Sequence, residues 1–316
     1  MTKVLTKDYQ MKFKENNLFS DQIYAILKKG GIRLHKGISS PLSSQASCFN
    51  FWYPFIKPEN KEQLQELLLC LGLKVDEVLT IKPNSIFEDT LYKDGGNVIF
   101  EWIGPKKSPI GEEDGYLRGH HRTSIDAYIL TKINRKVTQI LIEWKFTESY
   151  SSKSNTGKFL GAKGIERLAR YSPIIARDRK ARKEILFKMT TLDNWGLYDV
   201  CYEPFYQLLR QHMLGQETVG MKFGDYVIED YIVMHLSHSA NDKLNILTAK
   251  QCEYSKGLQQ YIGQELHAIW NKLLNKEHKA RFIGTYWDKG LIKYKPTTEL
   301  REWYEYMQTR YLKQKR

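Results

Sequence analysis

Cysteine is scarce in this chain of 316 residues, which contains only four. Cys48, Cys70, Cys201 and Cys252 are far apart in the sequence and form no C-x-x-C pair. Disulfide frameworks and cysteine-based zinc sites use clustered cysteines, so this spacing argues against both. It fits a protein of a reducing compartment.

Long apolar runs are lacking as well. The N-terminal segment MTKVLTKDYQMKFKENN has no apolar stretch of signal-peptide length. The longest apolar run, at residues 67–73, is far shorter than the roughly 20 residues that span a bilayer. We therefore expect an intracellular, cytoplasmic protein without a membrane partner.

Acidic residues are outnumbered by basic ones, with 36 Asp and Glu against 49 Lys and Arg. The formal net charge is +13 and the pI is about 9.3. A surplus of this size indicates an anionic partner such as nucleic acid or a membrane surface. A basic surface that serves only solubility is the alternative.

The chain also lacks an internal repeat, a low-complexity segment and a Pro/Gly/Ser-rich linker that would divide it. Residues 19–73 are patterned as helices, residues 75–146 as strands and turns, and helices mixed with strands follow. This order predicts a mixed α/β fold with a central mixed β-sheet flanked by helices. We expect an N-terminal helical region (1–75) that packs on a core (76–316) as one compact unit.

Three segments in the second half of the chain have a helical pattern, and each allows a specific prediction. Pro173 lies inside one of them and predicts a break, because proline lacks the N–H that a helix needs. Residues 255–275 place apolar side chains on one face and predict a single amphipathic helix. The last pattern is amphipathic with a basic tail, and it is either a homodimer contact or a cap of the core.

The segment LIEWKF, residues 141–146, has the texture of a buried strand but contains two charges. Alternate residues of a strand face the same side. Glu143 and Lys145 therefore share one face, and the apolar residues between and beside them share the other. A core strand of this kind needs a reason for its two charges.

A second strand-like run, SIDAYIL, carries Asp126 and is joined to the first by a short polar turn. The 16 residues between Asp126 and Glu143 (127–142) suffice for an antiparallel hairpin that brings both acids to one sheet edge. Two carboxylates in a partly buried site repel each other unless a cation joins them, and hard oxygen ligands suit Mg²⁺ or Mn²⁺. A Glu–Lys pair on a solvated edge strand is the alternative.

Asp126 followed by Glu143-Trp144-Lys145 resembles the D…(D/E)-x-K signature of the PD-(D/E)XK nuclease superfamily, which has the restriction-endonuclease-like fold. Ile125 stands where the superfamily's name has a proline. Further segments, in the same order, resemble a bacterial family of restriction-endonuclease-like proteins: SSQASCFNFW, RGHHRTSIDAYI, LIEWKFTESY, RLARY, EPFYQLLRQHML and YEYMQTRY. The resemblance runs from about Ser40 to the C-terminus.

The resemblance implies metal-dependent hydrolysis of phosphodiester bonds with Mg²⁺, for which Mn²⁺ would substitute. By the same resemblance Asp126, Glu143 and the Trp144 carbonyl bind the metal, as one ion or two. Lys145 would position or activate the attacking water.

Two other side chains are candidates for the same site. The superfamily often supplies one more acid from an upstream element, and Glu101 is our first choice, with Glu88 and Glu113 as alternatives. Gln45, in an aromatic-rich helical stretch, would reach the site from a neighbouring helix. Capping or core hydrogen bonding is the alternative for Gln45.

Basic and polar residues near these strands are candidates for binding nucleic acid, most of all DNA. Arg118 and Arg122 precede the Asp126 strand, where charge-assisted hydrogen bonds would hold a phosphate. The others lie at the end of the second strand, in the Gly/Ser/Lys-rich loop and on the following helix: Thr147, Lys153, Lys158, Arg167, Tyr171 and Arg177. Solvated helix charges without a ligand are the alternative.

The resemblance thus implies a Mg²⁺-dependent endonuclease that cleaves DNA in restriction or phage defence. A catalytically inactive nucleic-acid-binding or assembly protein on the same fold is one alternative, and an RNA-cleaving nuclease is another. The intact set of Asp126, Glu143 and Lys145 favours the active enzyme.

Overall fold

A computed structural model describes residues 17–29, 32, 34–81, 96–113, 122–150, 161–180, 186, 197–200, 203–252 and 255–312. The helices in these ranges are α1 (Asp21–Lys29), α2 (Ser44–Trp52), α3 (Lys61–Cys70), α4 (Gly161–Lys180), α5 (Phe205–Glu217), α6 (Asp242–Asn245), α7 (Lys256–Gln259), α8 (Leu266–Leu273), α9 (Lys276–Ala280), α10 (Trp287–Lys293) and α11 (Arg301–Met307). The strands are β1 (Glu77–Leu79), β2 (Ile99–Trp102), β3 (Ile125–Ile133), β4 (Lys136–Trp144), β5 (Lys222–Phe223), β6 (Tyr226–Val227), β7 (Asp230–Ser237) and β8 (Phe282–Tyr286).

Six of these strands form one mixed sheet in the order β1-β3-β4-β7-β8, with β2 paired beside β1 on β3. The pairs made by β1, β2 and β4 with β3 are antiparallel, whereas β4–β7 and β7–β8 are parallel. Strand β4 is therefore antiparallel to one neighbour and parallel to the other. The predicted mixed α/β fold with a central mixed sheet is confirmed.

The hairpin of β3 and β4 turns on only two residues, Asn134 and Arg135, which have φ angles of 50° and 67°. Positive φ at both central residues is the geometry that matches the twist of a tight hairpin. The last pair before the turn is Ile133 with Lys136, so the strands extend further into the polar segment than its composition suggests. The predicted antiparallel hairpin is confirmed.

Helices cover both faces of the sheet. On what we call the aromatic face, Ile140, Ile142 and Trp144 of β4 pack against α1, α2, α3, α10 and α11. On what we call the cleft face, Leu141 of β4 and Tyr231 of β7 pack against α4, α5 and α8. The apolar alternation of LIEWKF therefore anchors β4 to the aromatic face, as predicted.

Helix α5 approaches the cleft face closely because residue 215 is a glycine. A Cβ at Gly215 would lie 2.5 Å from the Tyr231 ring on β7, closer than real Cβ contacts come. The polar side chains of this helix are thereby brought against β4, and Gln139 of β4 donates to the Gly215 carbonyl at 3.0 Å.

Two of the predicted helix boundaries are wrong. Helix α4 runs through Pro173 without a break, and the ring is exposed, so water can satisfy the carbonyl that the missing N–H leaves unbonded. Residues 255–275 form two helices, α7 and α8, rather than one. Gly263 between them has a φ of 83°, and Glu265 forms a bridge with Ile246, so tertiary pairing overrides the helical pattern.

In the described part of the chain, no helix combines the length and apolar character needed to cross a membrane.

Candidate active site

The open end of the β3–β4 hairpin brings the two predicted acids together. Beyond the pair Ala127–Ile142, the Asp126 carboxylate accepts a hydrogen bond from the Trp144 backbone N–H, with Oδ2 2.7 Å from the nitrogen. Glu143 precedes Trp144 on the same strand. The hairpin therefore places both carboxylates at the same end of the sheet, on its cleft face.

Glu143 and Lys145 are both buried, with only 3% and 5% of their surface exposed. The Lys145 Nζ atom lies 2.5 Å from Glu143 Oε1. The other oxygen, Oε2, accepts from the side-chain amide of Gln211 on α5. Each oxygen of this carboxylate therefore has a hydrogen-bond donor, which fixes its orientation.

Asp126, Glu143 and Lys145 influence one another's pKa values. Burial raises the pKa of Asp126 well above its ordinary value, and the neighbouring Glu143 carboxylate raises it further. Burial also raises the pKa of Glu143, against the attraction of Lys145. Burial alone would lower the pKa of Lys145, but Glu143 and other nearby groups outweigh it and raise that pKa well above the usual value. Lys145 is thus an ammonium at neutral pH, and the acids would gain from another cation.

Glu101 enters this region through an unusual backbone conformation. Its φ of 53° lies in the left-handed region, and the strand turns over there, because Phe100 packs on the aromatic face and Trp102 on the cleft face. Gln45 Nε2 donates to Glu101 Oε1 at 2.9 Å, and Ser124 Oγ donates to Oε2 at 2.8 Å. A strained non-glycine residue whose side chain is held from two sides is typical of functional sites.

These side chains line one cleft with a volume of about 910 Å³. Its walls come from the segment before α2, the start of α2, the ends of β2, β3 and β4, residues 145–150, and α5. Of the residues predicted from the sequence, the following line it: Gln45, Glu101, Arg122, Asp126, Glu143, Trp144, Lys145 and Thr147.

The donor atoms of the cleft suit a hard cation. Among the described residues, no three His, Cys, Asp or Glu side chains form a metal-binding group. Asp126 and Glu143 would therefore need a further oxygen, and the Trp144 carbonyl accepts only a long bond of 3.5 Å from Ser44 Oγ. Two carboxylates with a backbone carbonyl match Mg²⁺, which keeps several waters and uses few protein ligands.

Several of the predicted nucleic-acid-binding residues lie outside the described residues or on helix α4. Arg118, Lys153 and Lys158 lie outside the described residues, as does Glu88. Arg177 lies in α4. Arg167 of α4 packs over the Tyr206 ring, with its Cζ atom 5.8 Å from the ring centroid.

Arg122 lines the cleft, but its contacts argue for a structural role. It is only 6% exposed. Its Nη1 atom donates to the carbonyls of Lys106 and Glu113 at 2.9 and 3.0 Å. Its Nη2 atom donates to those of Ile103 and Pro105 at 2.8 and 2.6 Å. A guanidinium that bonds four backbone carbonyls holds the 103–113 segment in place and has little capacity left for a phosphate.

Tyr171 and Thr147 also have internal partners. The Tyr171 hydroxyl donates to Glu112 at 3.2 Å and accepts from Tyr206 at 3.3 Å, in a buried cluster behind the cleft. The Thr147 hydroxyl donates to the Leu42 carbonyl at 2.7 Å and so ties the segment after β4 to the segment before α2. Glu113 is exposed, and it is not among the residues that line the cleft.

The residues least accessible to sequence reasoning come from later elements. Gln211 reaches Glu143 from α5, 68 residues further along the chain. His235 on β7 is in register with Glu143, and its Nδ1 lies 2.9 Å from Nε2 of His267. The only local signal was the polar spacing of Gln207, Arg210 and Gln211 on one face of an otherwise apolar helix.

Residues 2–312 match the model of a protein family described as "Restriction Endonuclease associating with ARP". The match covers nearly the whole chain. The chain belongs to this restriction endonuclease family. Neither a curated protein nor a solved structure matches it.

Proposed function

We propose that this protein is a metal-dependent nuclease of the PD-(D/E)XK type that hydrolyses phosphodiester bonds in DNA. The observation that carries the proposal is the convergence of Asp126, Glu143 and Lys145 in one cleft, with the Trp144 N–H bonded to Asp126. Buried like charges of this kind are costly in a fold, so a function is the simplest reason to keep them. Membership of a restriction endonuclease family supports the same chemistry.

Asp126, Glu143 and the Trp144 carbonyl would hold Mg²⁺, with Mn²⁺ as a substitute. When bound, the ion supplies Lewis-acid polarisation of a phosphate oxygen. Gln211 keeps the Glu143 carboxylate oriented, and the Trp144 N–H does the same for Asp126. The protein's own contribution is to hold these oxygens in a fixed, partly dry arrangement.

Lys145 acts in this proposal as a cation rather than as a base. Because its pKa is raised, it keeps its proton at neutral pH. An ammonium beside the carboxylates can orient the attacking water and stabilise the negative charge that develops on the phosphate. Of the two roles implied by the resemblance, positioning therefore fits Lys145 better than activation by proton removal.

Glu101 is our candidate for the additional acid. Its carboxylate lines the cleft and is held by Gln45 and Ser124. Gln45 is in turn fixed by the His35 N–H, which donates to Oε1 at 2.9 Å. In this arrangement Gln45 positions an acid and does not itself touch the substrate.

The setting we propose is restriction or phage defence in the cytoplasm. The net charge of +13 favours a polyanionic substrate. The description of the family includes association with ARP, and we extend that association to this chain. A homodimer, with two clefts facing two strands, is the assembly we expect for double-strand cleavage.

The test is a cleavage assay with Mn²⁺ or Mg²⁺ on single-stranded DNA, double-stranded DNA, methylated DNA and RNA. We expect DNA to be cut, and we expect EDTA or Asp126→Ala to abolish cutting. Glu59→Gln, which removes an exposed acid outside the cleft, should cut like the wild type. Binding without any cleavage across this panel would refute the catalytic proposal, and cleavage of RNA alone would reassign the substrate.

A further inference from the structure

Helix α5 presents a polar face to the cleft through Gln207, Arg210 and Gln211. Residues three and four apart share a helix face, so the three side chains point the same way. Gln211 contacts Glu143, and Gln207 accepts from the Tyr150 hydroxyl at 3.3 Å. Both amides are thus part of the internal scaffold of the cleft. Arg210, between them, is differently placed.

The Arg210 guanidinium is fixed on one side and open on the other. Its Cζ atom lies 4.7 Å from the centroid of the Tyr206 ring, a cation–π distance. Its Nη1 atom donates to Thr123 Oγ1 at 3.2 Å and lies 3.9 Å from Glu112 Oε1. The side chain nevertheless keeps 18% of its surface exposed, and it lines the cleft.

The other cations of the cleft have less to offer an incoming anion. In the described part of the lining, Lys and Arg occur at four positions. Lys145 is paired with Glu143, and Arg122 donates to four backbone carbonyls. Lys36 is exposed at the rim, where a flexible lysine is strongly hydrated. Arg210 combines an inner position with a guanidinium that is already oriented.

An anionic substrate needs such a group, because the lining is rich in acids. Glu101, Asp126, Glu143 and Glu148 all line the cleft. A phosphodiester that enters would meet these carboxylates at close range, and a metal ion at Asp126 and Glu143 would offset only part of their charge. A planar guanidinium binds phosphate oxygens through paired N–H groups, and one already held by a ring loses less entropy on binding.

We propose that Arg210 is a phosphate-binding residue, which receives a backbone phosphate of the nucleic acid at the α5 wall of the cleft. Tyr206 and Thr123 hold the guanidinium, and its open side faces the ligand. The inference rests on the proposed function, since it names the group that receives the same substrate beside the acids. It identifies the ligand by its chemistry, a phosphodiester oxyanion, and implies no base sequence.

The test measures the affinity of a labelled DNA for the full-length protein by fluorescence anisotropy, with Ca²⁺ in place of Mg²⁺, at several salt concentrations. We expect Arg210→Met to weaken binding about tenfold, the effect of losing one charge-assisted phosphate contact. We also expect the slope of log K against log[salt] to become shallower by about 1. A purely structural role would not change that slope. Arg301→Met, which removes an exposed arginine of α11 outside the cleft, should leave affinity within about twofold of the wild type.

Arg210→Met also removes a neighbour of the buried Glu112, so folding is checked by circular dichroism and thermal unfolding. If that variant does not fold, Arg210→Lys replaces it. Lysine keeps the charge but loses the fork and the ring contact, and we expect affinity to fall about threefold or more. Wild-type affinity and an unchanged salt slope in a folded variant would overturn the inference.

Cleavage is scored separately with Mn²⁺ on the same DNA. If no nucleic acid is cut but Arg210→Met still loses binding and salt slope, the proposed catalysis fails and the phosphate site stands. If the wild type cuts DNA and Arg210→Met binds it normally, the phosphate site fails and the nuclease stands.

Discussion

On the aromatic face of the sheet, Trp144 stacks on Trp287 with ring centroids 4.9 Å apart, and Phe51 packs 4.8 Å from Trp144. Glu143 and Lys145, the residues before and after Trp144, lie on the cleft face, where Lys145 Nζ is 2.5 Å from Glu143 Oε1. Both groups are buried, but the aromatic rings favour burial, whereas the charged pair on the cleft face does not. The same segment therefore serves as an anchor on one side and as a chemical site on the other.

The two faces differ in what burial does to their free energy. Burial of large rings favours folding, at about 25 cal/mol for each Å² of apolar surface removed from water. Burial of charges opposes folding unless partners compensate. The cleft face contains Glu143 and Lys145, and histidines at positions 212, 235, 267 and 278 are buried on that side. We infer that apolar packing, on the aromatic face and around α4, α5 and α8, supplies the stability on which the buried charges of the cleft depend.

The largest expected effect is a loss of stability on substitution of a buried residue of the aromatic face. Trp303 of α11 is buried, packs 5.1 Å from Phe55 and donates from Nε1 to the Asn50 carbonyl at 2.7 Å. We expect Trp303→Ala to lower the free energy of unfolding by about 3–5 kcal/mol, measured by urea unfolding. Trp303→Phe should lower the free energy of unfolding by clearly less. Cleavage per folded molecule should not change. A specific loss of catalysis would contradict the separation of a stabilising face from a catalytic one.

The matching prediction on the cleft face concerns the rate of cleavage per folded molecule. We expect Lys145→Met to lower the rate of DNA cleavage about 10²–10³-fold, because a preorganised cation next to the developing charge is lost. DNA affinity should be kept within a few-fold, measured by anisotropy with Ca²⁺. Lys57→Met, which changes an exposed lysine outside the cleft, is the control. Wild-type cleavage by Lys145→Met would remove this residue from the mechanism.

We expect acid pH to lower the stability of the fold through buried histidines on the cleft face. Burial lowers the pKa of His267 and of His278 to about 4, below the unfolded value of about 6.5. Their contribution to stability is therefore present above about pH 6.5 and is lost as the pH falls towards 4, by up to about 1.4 kcal/mol per pH unit for each histidine.

Urea unfolding between pH 7 and pH 4.5 measures this loss. Asp126 and Glu143 act in the opposite direction, because their raised pKa values make protonation favour the folded state. The variant His278→Gln separates the two, since it removes one histidine and leaves both acids. It should flatten the pH dependence, and an unchanged slope would show that this histidine is not responsible.

The smallest expected effect is a change in Tm when one charge is removed from the cleft face. Because the pKa of Asp126 is raised, its carboxylate opposes folding at pH 7 when no cation is bound. We expect Asp126→Asn to raise the Tm slightly in EDTA, since an amide oxygen can still accept from the Trp144 N–H.

Mn²⁺ extends this measurement without any assay of activity. It should raise the Tm of the wild type and leave that of Asp126→Asn unchanged. Glu59→Gln should respond to Mn²⁺ as the wild type does. Equal Mn²⁺ shifts in wild type and Asp126→Asn would place the metal elsewhere.

The parts of the fold that follow from short-range patterns could be predicted from the sequence. The alternation of LIEWKF predicted which face of β4 is apolar, and the polar turn predicted the hairpin with β3. The family-like segments predicted a site at Asp126, Glu143 and Lys145, which the structure brings to one cleft. These three side chains lie within one hairpin, so their proximity needs no long-range information.

The remaining features depend on contacts that a local pattern does not contain. Arg122 looks like a phosphate ligand because it is a cation near an acid, but its partners are carbonyls 9 to 19 residues away that only the folded loop presents. Gln211 meets Glu143 only because Gly215 lets α5 close on β7. Pro173 failed as a helix breaker because its ring lies on the exposed side of α4.

The two-residue turn of the β3–β4 hairpin has a consequence for how the site is assembled. Asp126 through Lys145 is a span of 20 residues, so closing one short loop is enough to bring the proposed catalytic groups together. Contacts of such low sequence separation form early and at small entropic cost. The supporting groups on α5 arrive from more than 60 residues away. During folding, the charged groups would thus meet before the helix that orients them has docked, and α5 docking becomes the step that turns a hairpin with three charges into a defined site.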